Sequence, residues 1–284
     1  MFERIATGWQ LARQSYQVLK LDKELLLFPL MSGIACLLVM ASFALPLWAS
    51  GYAETVMNEE AGNQSQQILG YILLFVFYLA NYFVVIFFNA ALIACAIIRF
   101  KGGNPNLGDG LFAASARLPQ IFGWAVVAAT VGLLLRIIES RSERVGRFVA
   151  GLLGMAWSAM TYFVVPVIVV EKVGPVAAAQ RSLSILKKTW GEALTANFGI
   201  GFVVFLASLV AMIPLMAGAL AISAGMIGLG VVGIVCGVLW VLLVSLVSSA
   251  LHAILVGALY LYAAEGTVPG QFDDALFRQA FARK

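Results

Sequence analysis

The sequence predicts an all-α fold: a polytopic membrane helix bundle of about six transmembrane helices with cytoplasmic amphipathic interfacial helices. Three observations carry that expectation. Of 284 residues, 62% are hydrophobic and 11% charged, with a mean hydropathy of +0.96, whereas a soluble domain is about a quarter charged. The charges are also segregated: no Asp, Glu, Lys or Arg occurs in 25–53, 61–98, 118–135, 148–170 or 193–264. Crossing the hydrocarbon takes about 20 apolar residues, so the first four windows supply one crossing each and the last at least two. Finally, with the N-terminus inside, only Arg136, Arg141, Arg144 and Arg147 of the 18 basic residues fall outside. That asymmetry places both termini in the cytoplasm.

The expected order runs as follows. Residues 1–24 form an amphipathic helix, and the first crossing spans Leu25–Trp48. The acidic segment Ala49–Gln67 is an external loop, and a long second helix covers Ile68–Ile98. A turn, RFKGGNPN, leads to a short helix at Leu107–Leu118, after which Pro119 opens the third crossing, to Arg136. The fourth crossing is Phe148–Val170. Two more share Ala193–Ala264, joined near Pro214–Gly230, and a seven-crossing alternative would divide that window in three. The chain then reads as one integral membrane domain, 1–284, with a transmembrane bundle at 25–264 in up to three helix-hairpin units and a cytoplasmic tail at 265–284. The first apolar run is too long, and begins too late, for a cleavable signal peptide.

Between the fourth and fifth crossings lies a polar island, AAAQRSLSILKKTW. Val176, Ala179, Leu183, Leu186 and Trp190 recur at helical spacing, as do Ile5, Trp9, Ala12, Tyr16 and Leu19 near the start. The two segments align, with Ala12, Ser15, Val18, Leu19 and Lys20 matching Ala179, Ser182, Ile185, Leu186 and Lys187. Gly174-Pro175 starts the second copy well, because proline suits a first helical turn. Both segments are expected to lie in the headgroup layer, apolar face down. Trp9, Arg13, Tyr16, Lys20, Arg181, Lys187, Lys188 and Trp190 would then meet lipid at the interface. The alternative is an elbow that only sets the next crossing's entry angle.

The start FERIATGWQLARQSYQVLKLDKELLLFPL resembles an uncharacterised bacterial family of six-helix multi-pass membrane proteins. The segment PVIVVEKVGPVAAAQRSLSILKKTW is similar to a signature of a wider group that includes the membrane domain fused to some glycerophosphodiester phosphodiesterases. The resemblance implies a bacterial cytoplasmic (inner) membrane and transfers no catalytic residue.

Motifs with chemical meaning are few. GLGVVG, Gly228 to Gly233, lacks the strand, the soluble helix and the acidic residue that a dinucleotide site needs. Gly233 and Gly237 instead form a small-xxx-small face for close helix approach, within the chain or to a second protomer. AISAG fails the nucleophile-elbow pattern. Cys36, Cys95 and Cys236 lie in apolar runs and read as inert thiols. Ser245, Ser249 and His252 share a helical face, and with Asn81, Asn89 and Asn197 they could line an uncharged polar path or simply join helices. A lone histidine without acidic or cysteine companions predicts no metal. The expectation is a non-enzymatic inner-membrane protein, without cofactor or nucleic-acid partner, that binds, senses or organises the cytoplasmic leaflet or a membrane partner. Its partners are membrane lipids, anionic ones foremost, and a homo-oligomer stays open. The alternative is an oligomeric channel or transporter.

Overall fold

Proline placement explains four of the ten helix ends among the described residues. A proline has no N–H, and its ring collides with the carbonyl four residues back, so a helix tends to stop there. Helices end at Ser115, Glu171, Val210 and Glu265, each four residues before a proline: Pro119, Pro175, Pro214 and Pro269. The computed structural model describes residues 2–49, 64–140 and 145–274, with the backbone alone for 2–8, 64–67, 145 and 188–200. Residues 50–63 of the expected external loop, Ala49–Gln67, and the second half of the tail, 275–284, lie outside the described residues; Gln64–Gln67, expected in that loop, already belong to the long second helix.

Helix α1 is Phe2–Leu21, and a 3₁₀ turn at Lys23–Leu26 leads into α2, Leu27–Ala49. Then come α3 (Gln64–Phe100), α4 (Leu107–Ser115), α5 (Leu118–Ser140), α6 (Val145–Met160), α7 (Val164–Glu171), α8 (Pro175–Val210), α9 (Met212–Ser223) and α10 (Ile227–Glu265). There is no strand among the described residues. Six segments are long and apolar enough to cross a membrane: Lys23–Ala49, Ile68–Phe100, Leu118–Ser140, Gly146–Glu171, Gly201–Ser223 and Ile227–Glu265. This is an all-α, multi-pass membrane fold. The last window holds two crossings, because α10 runs unbroken from Ile227 to Glu265.

Two expectations change. The fourth crossing is not one helix: Pro166 denies a hydrogen bond to the carbonyl of Tyr162, and the chain turns at Thr161–Phe163 between α6 and α7. The island is not a separate helix either, since α8 continues from Pro175 through it into the fifth crossing.

Three of the turns that follow helices share one construction. A residue in the left-handed region closes the helix and a proline follows three positions later: Gly102 and Pro105, Lys172 and Pro175, Gly266 and Pro269. Glycine suits that conformation because it has no Cβ to clash. Lys172, at φ 60°, is the non-glycine member of the set.

The chain separates into two compact units. The first comprises Met1–Pro29, Cys95–Asn106 and Lys187–Lys284. In it α1 packs against α10, which is buried almost continuously from Ala250 to Leu261. A polar clasp joins its three sequence segments. The Arg99 guanidinium grips the Asp22 carboxylate with two nitrogens, Nε at 2.6 Å from Oδ2 and Nη2 on Oδ1. Nη2 also reaches Asn104 Oδ1 at 2.6 Å. Gln271 Nε2 donates to the Arg99 carbonyl at 3.2 Å, and Phe272 meets Phe100 edge-on at 5.8 Å. The second unit comprises Leu30–Ala94 and Leu107–Leu186. Ring contacts organise it: Phe43 against Phe77, Phe83 against Phe122, and Trp124 stacked on Trp157 at 5.6 Å between α5 and α6.

Asp22 and Arg99 are both largely shielded from solvent. Asp22→Leu strands the guanidinium and is expected to cost about 3–5 kcal/mol of stability, whereas the Asp22→Leu/Arg99→Met double variant recovers most of that loss. Thermal unfolding of the detergent-solubilised protein reads both. An unchanged midpoint in the single variant rules out the clasp as a stabilising contact.

Candidate functional site

The face of α1 turned to the protein is the one built from small and branched residues. Leu11, Ala12, Ser15, Val18 and Leu19 are all buried, and Ser15 is fully so. Trp9 (52% exposed) and Tyr16 (44%) point away from the unit, with Arg13 and Lys20 between and beyond them. The expected apolar set of Ile5, Trp9, Ala12, Tyr16 and Leu19 is thereby corrected where side chains are described: Ala12 and Leu19 face protein, while Trp9 and Tyr16 do not. Compact side chains let α1 approach α10, and aromatic rings with polar edges are left to the outer surface. Steps of four, three and four place Trp9, Arg13, Tyr16 and Lys20 on one stripe. Lys20 Nζ sits 4.8 Å above the Tyr16 ring, an intrahelical cation–π contact.

The second copy shows the same burial. Ala178, Ser182, Ile185 and Leu186 are buried, whereas Val176 is exposed and Leu183 half-buried. The aligned pairs Ser15/Ser182, Val18/Ile185 and Leu19/Leu186 therefore occupy equivalent protein-facing positions. Ser182 has a specific task. Its Oγ accepts from the Phe163 N–H at 2.9 Å and donates to the Met160 carbonyl at 2.8 Å, closing the break between α6 and α7. Arg181 is half-buried and donates to Glu171 Oε1 at 2.8 Å, so its charge is matched within the chain. Lys187 is exposed. The side chains of Lys188, Trp190 and Asn197 lie outside the described residues.

The glycine face of α10 packs within the chain. A Cβ on Gly233 would fall 2.7 Å from the Gly218 Cα and 2.9 Å from the Pro214 carbonyl oxygen. One on Gly237 would strike Leu215 at 2.5 Å. The partner is therefore α9, reached through the turn at Ala224–Met226 where Gly225 takes a positive φ. Gly228 at the start of α10 has open space around it.

Of the residues expected to line a polar path, Ser245, Ser249 and His252 do come together. They line a cavity of about 480 Å³ between α8 and α10, joined by Gly201, Ser208 and Ser248. Val204, Val241 and Val244 complete its walls. Nearby, Trp240 Nε1–H donates to the Ala207 carbonyl at 2.8 Å and ties the two helices. Asn81 spends its amide on the Phe77 carbonyl of its own helix at 2.9 Å, and Asn89 is half-buried. Ser208 escaped the sequence reading because no periodicity links it to α10. Ser182 carried a signal, its match with Ser15, but not the reason for it. No group of three or more His, Cys, Asp or Glu that could hold a metal occurs among the described residues.

Residues 68–270 match the profile of a family of unknown function (DUF6159), which agrees with the expected kinship to an uncharacterised family and carries nothing on the membrane domain of phosphodiesterase fusions. Comparison with curated proteins and with solved structures returned no match.

Two expected outcomes follow from this geometry. Ser182→Ala leaves the Phe163 N–H and the Met160 carbonyl without their partner and should cost about 1–3 kcal/mol, with faster hydrogen exchange at the Phe163 amide. Ser15→Ala should be neutral or better, since the buried Ser15 hydroxyl has no partner to lose. Equal effects of the two would refute the helix-break role. Gly233→Leu should separate α9 from α10 and lower the melting temperature by several degrees, while Gly228→Leu, in open space, leaves it unchanged.

Proposed function

We propose that this chain, which belongs to the family of unknown function DUF6159, is a non-enzymatic integral membrane protein that binds the anionic headgroup layer through the outer face of α1. The observation that carries this reading is the stripe of Trp9, Arg13, Tyr16 and Lys20: exposed cations and aromatics on one face, with the opposite face committed to protein. A helix resting on lipid tails would turn its leucines outwards. This one turns outwards the residue types that favour the boundary between headgroups and acyl chains. The stripe ends where the first membrane-spanning segment begins, at Lys23, and that keeps it at headgroup depth. Among the described residues neither Arg13 nor Lys20 forms an ion pair, so anionic lipid is the natural counter-charge. The distribution of basic residues supports the cytoplasmic leaflet, and the resemblance of the N-terminal segment supports a bacterial inner membrane. Lys187 adds a further exposed cation, whereas Arg181 serves Glu171.

A transport reading draws on the α8–α10 cavity, where Ser245, Ser249 and His252 gather. Flux through proteoliposomes that is lost in His252→Leu would favour it over headgroup binding.

Arg13→Gln/Lys20→Gln removes two interfacial charges worth about 1 kcal/mol each. Retention of phosphatidylglycerol relative to phosphatidylcholine on the purified protein should fall roughly thirtyfold. The same preference should weaken with rising salt. Native mass spectrometry in detergent reads the bound lipid directly, and retention equal to that of the unaltered protein would overturn the proposal.

A further inference from the structure

Polar side chains inside membrane-spanning helices ordinarily bond across to a neighbouring helix and draw it close. The cluster between α8 and α10 does something else. Ser208 on α8 and Ser245, Ser248, Ser249 and His252 on α10 stand around an open space of about 480 Å³. All lie within segments that cross the membrane. Trp240 pins α10 to α8 beside this space through its bond to Ala207, and Gly233 and Gly237 lock α10 against α9 farther along. The gap is therefore flanked by close helix–helix contacts.

We infer that this cleft binds the carbonyl-bearing head of an uncharged membrane amphiphile. The volume lies within the range of small-molecule sites, roughly 300–1,000 Å³. Among the described residues that line it none is charged, which favours an uncharged head over a phosphate or an ammonium at a depth where an unpaired charge costs several kcal/mol. Serine hydroxyls and an imidazole can each donate a hydrogen bond, and they occupy two facing walls. A ligand with carbonyl acceptors uses such donors. The valine walls take the apolar part of the head, and exposed Val241 and Phe205 extend the apolar surface at its edge. Two lipid classes carry this chemistry: an isoprenoid quinone, with carbonyls on opposite sides of a flat ring, and a diacylglycerol, with two ester carbonyls. This site is independent of the charged stripe on α1.

The test uses the full chain in lipid nanodiscs, titrated separately with decylubiquinone and with dioctanoylglycerol, and followed by native mass spectrometry and by quenching of tryptophan fluorescence. One of the two ligands should bind saturably, and which one identifies the class. His252→Leu and the Ser208→Val/Ser245→Val pair should each weaken it at least tenfold, about 1.4 kcal/mol. His252→Asn, which keeps a donor, should stay within about threefold of the unaltered protein, under half that energy. Arg13→Gln/Lys20→Gln should not alter binding, which separates this site from the headgroup contact. Binding of neither ligand by the unaltered, folded protein overturns the inference. So does equal affinity in His252→Leu with an unaltered melting temperature, or displacement of the neutral ligand by dioctanoylphosphatidylglycerol at equal concentration.

Discussion

A backbone that leaves helical geometry amid hydrocarbon must find partners for the N–H and C=O groups it frees, because no water is there to take them. The fourth crossing meets that constraint directly. Pro166 forces a turn at Thr161–Phe163, and the hydroxyl of Ser182 takes one donor and one acceptor from it. The beginning of α8 is consequently more than an elbow that sets an entry angle: its Ser182 completes the preceding crossing. At three helix ends the same demand is met locally, by residues in the left-handed region that let the chain turn ahead of a proline three positions on. Lys172 holds that place where its counterparts are Gly102 and Gly266, and it tolerates a conformation that costs a side-chain-bearing residue about 1–2 kcal/mol.

Charge is handled with similar economy. Arg99 ends a crossing and Asp22 precedes one, and they neutralise each other in a shielded pair that gathers the N-terminal segment, the end of α3 and the residues after α10 into one unit. Arg181 and Glu171 form a second pair in the other unit. On the outer side of α1, Arg13 and Lys20 form no ion pair among the described residues, which is what the proposed headgroup contact draws on. Composition alone does not tell paired cations from unpaired ones, because the partners Asp22 and Glu171 are set by the fold.

The glycine and serine residues of α10 divide its length by function. Gly230, Gly233 and Gly237 let α9 come to backbone contact, and the valine and leucine residues among them face outwards. Farther along, serines and His252 line a cavity, and from Ala253 to Leu261 the helix is buried. One helix thus provides a tight hairpin, a polar cleft and a docking surface for α1 in succession. Its unbroken 39 residues allow this, since a rigid rod fixes the order of the three regions.

The sequence by itself determined the five charge-free apolar windows, the proline-set helix ends and the recurrence of one serine-bearing segment. Each depends on local physics: the thickness of hydrocarbon, the missing N–H of proline and the periodicity of a helix. The tertiary structure decided which way each amphipathic helix turns. Trp9 and Tyr16 share a plausible apolar face with Ala12 and Leu19, yet close approach to α10 favours the compact side chains of Leu11, Ser15 and Val18, and α1 is rotated accordingly. It also decided that Ser208 meets Ser245 and His252, and that Asp22 meets Arg99 across 77 positions of chain. Such meetings depend on the mutual fit of distant surfaces, and no period within either helix encodes them.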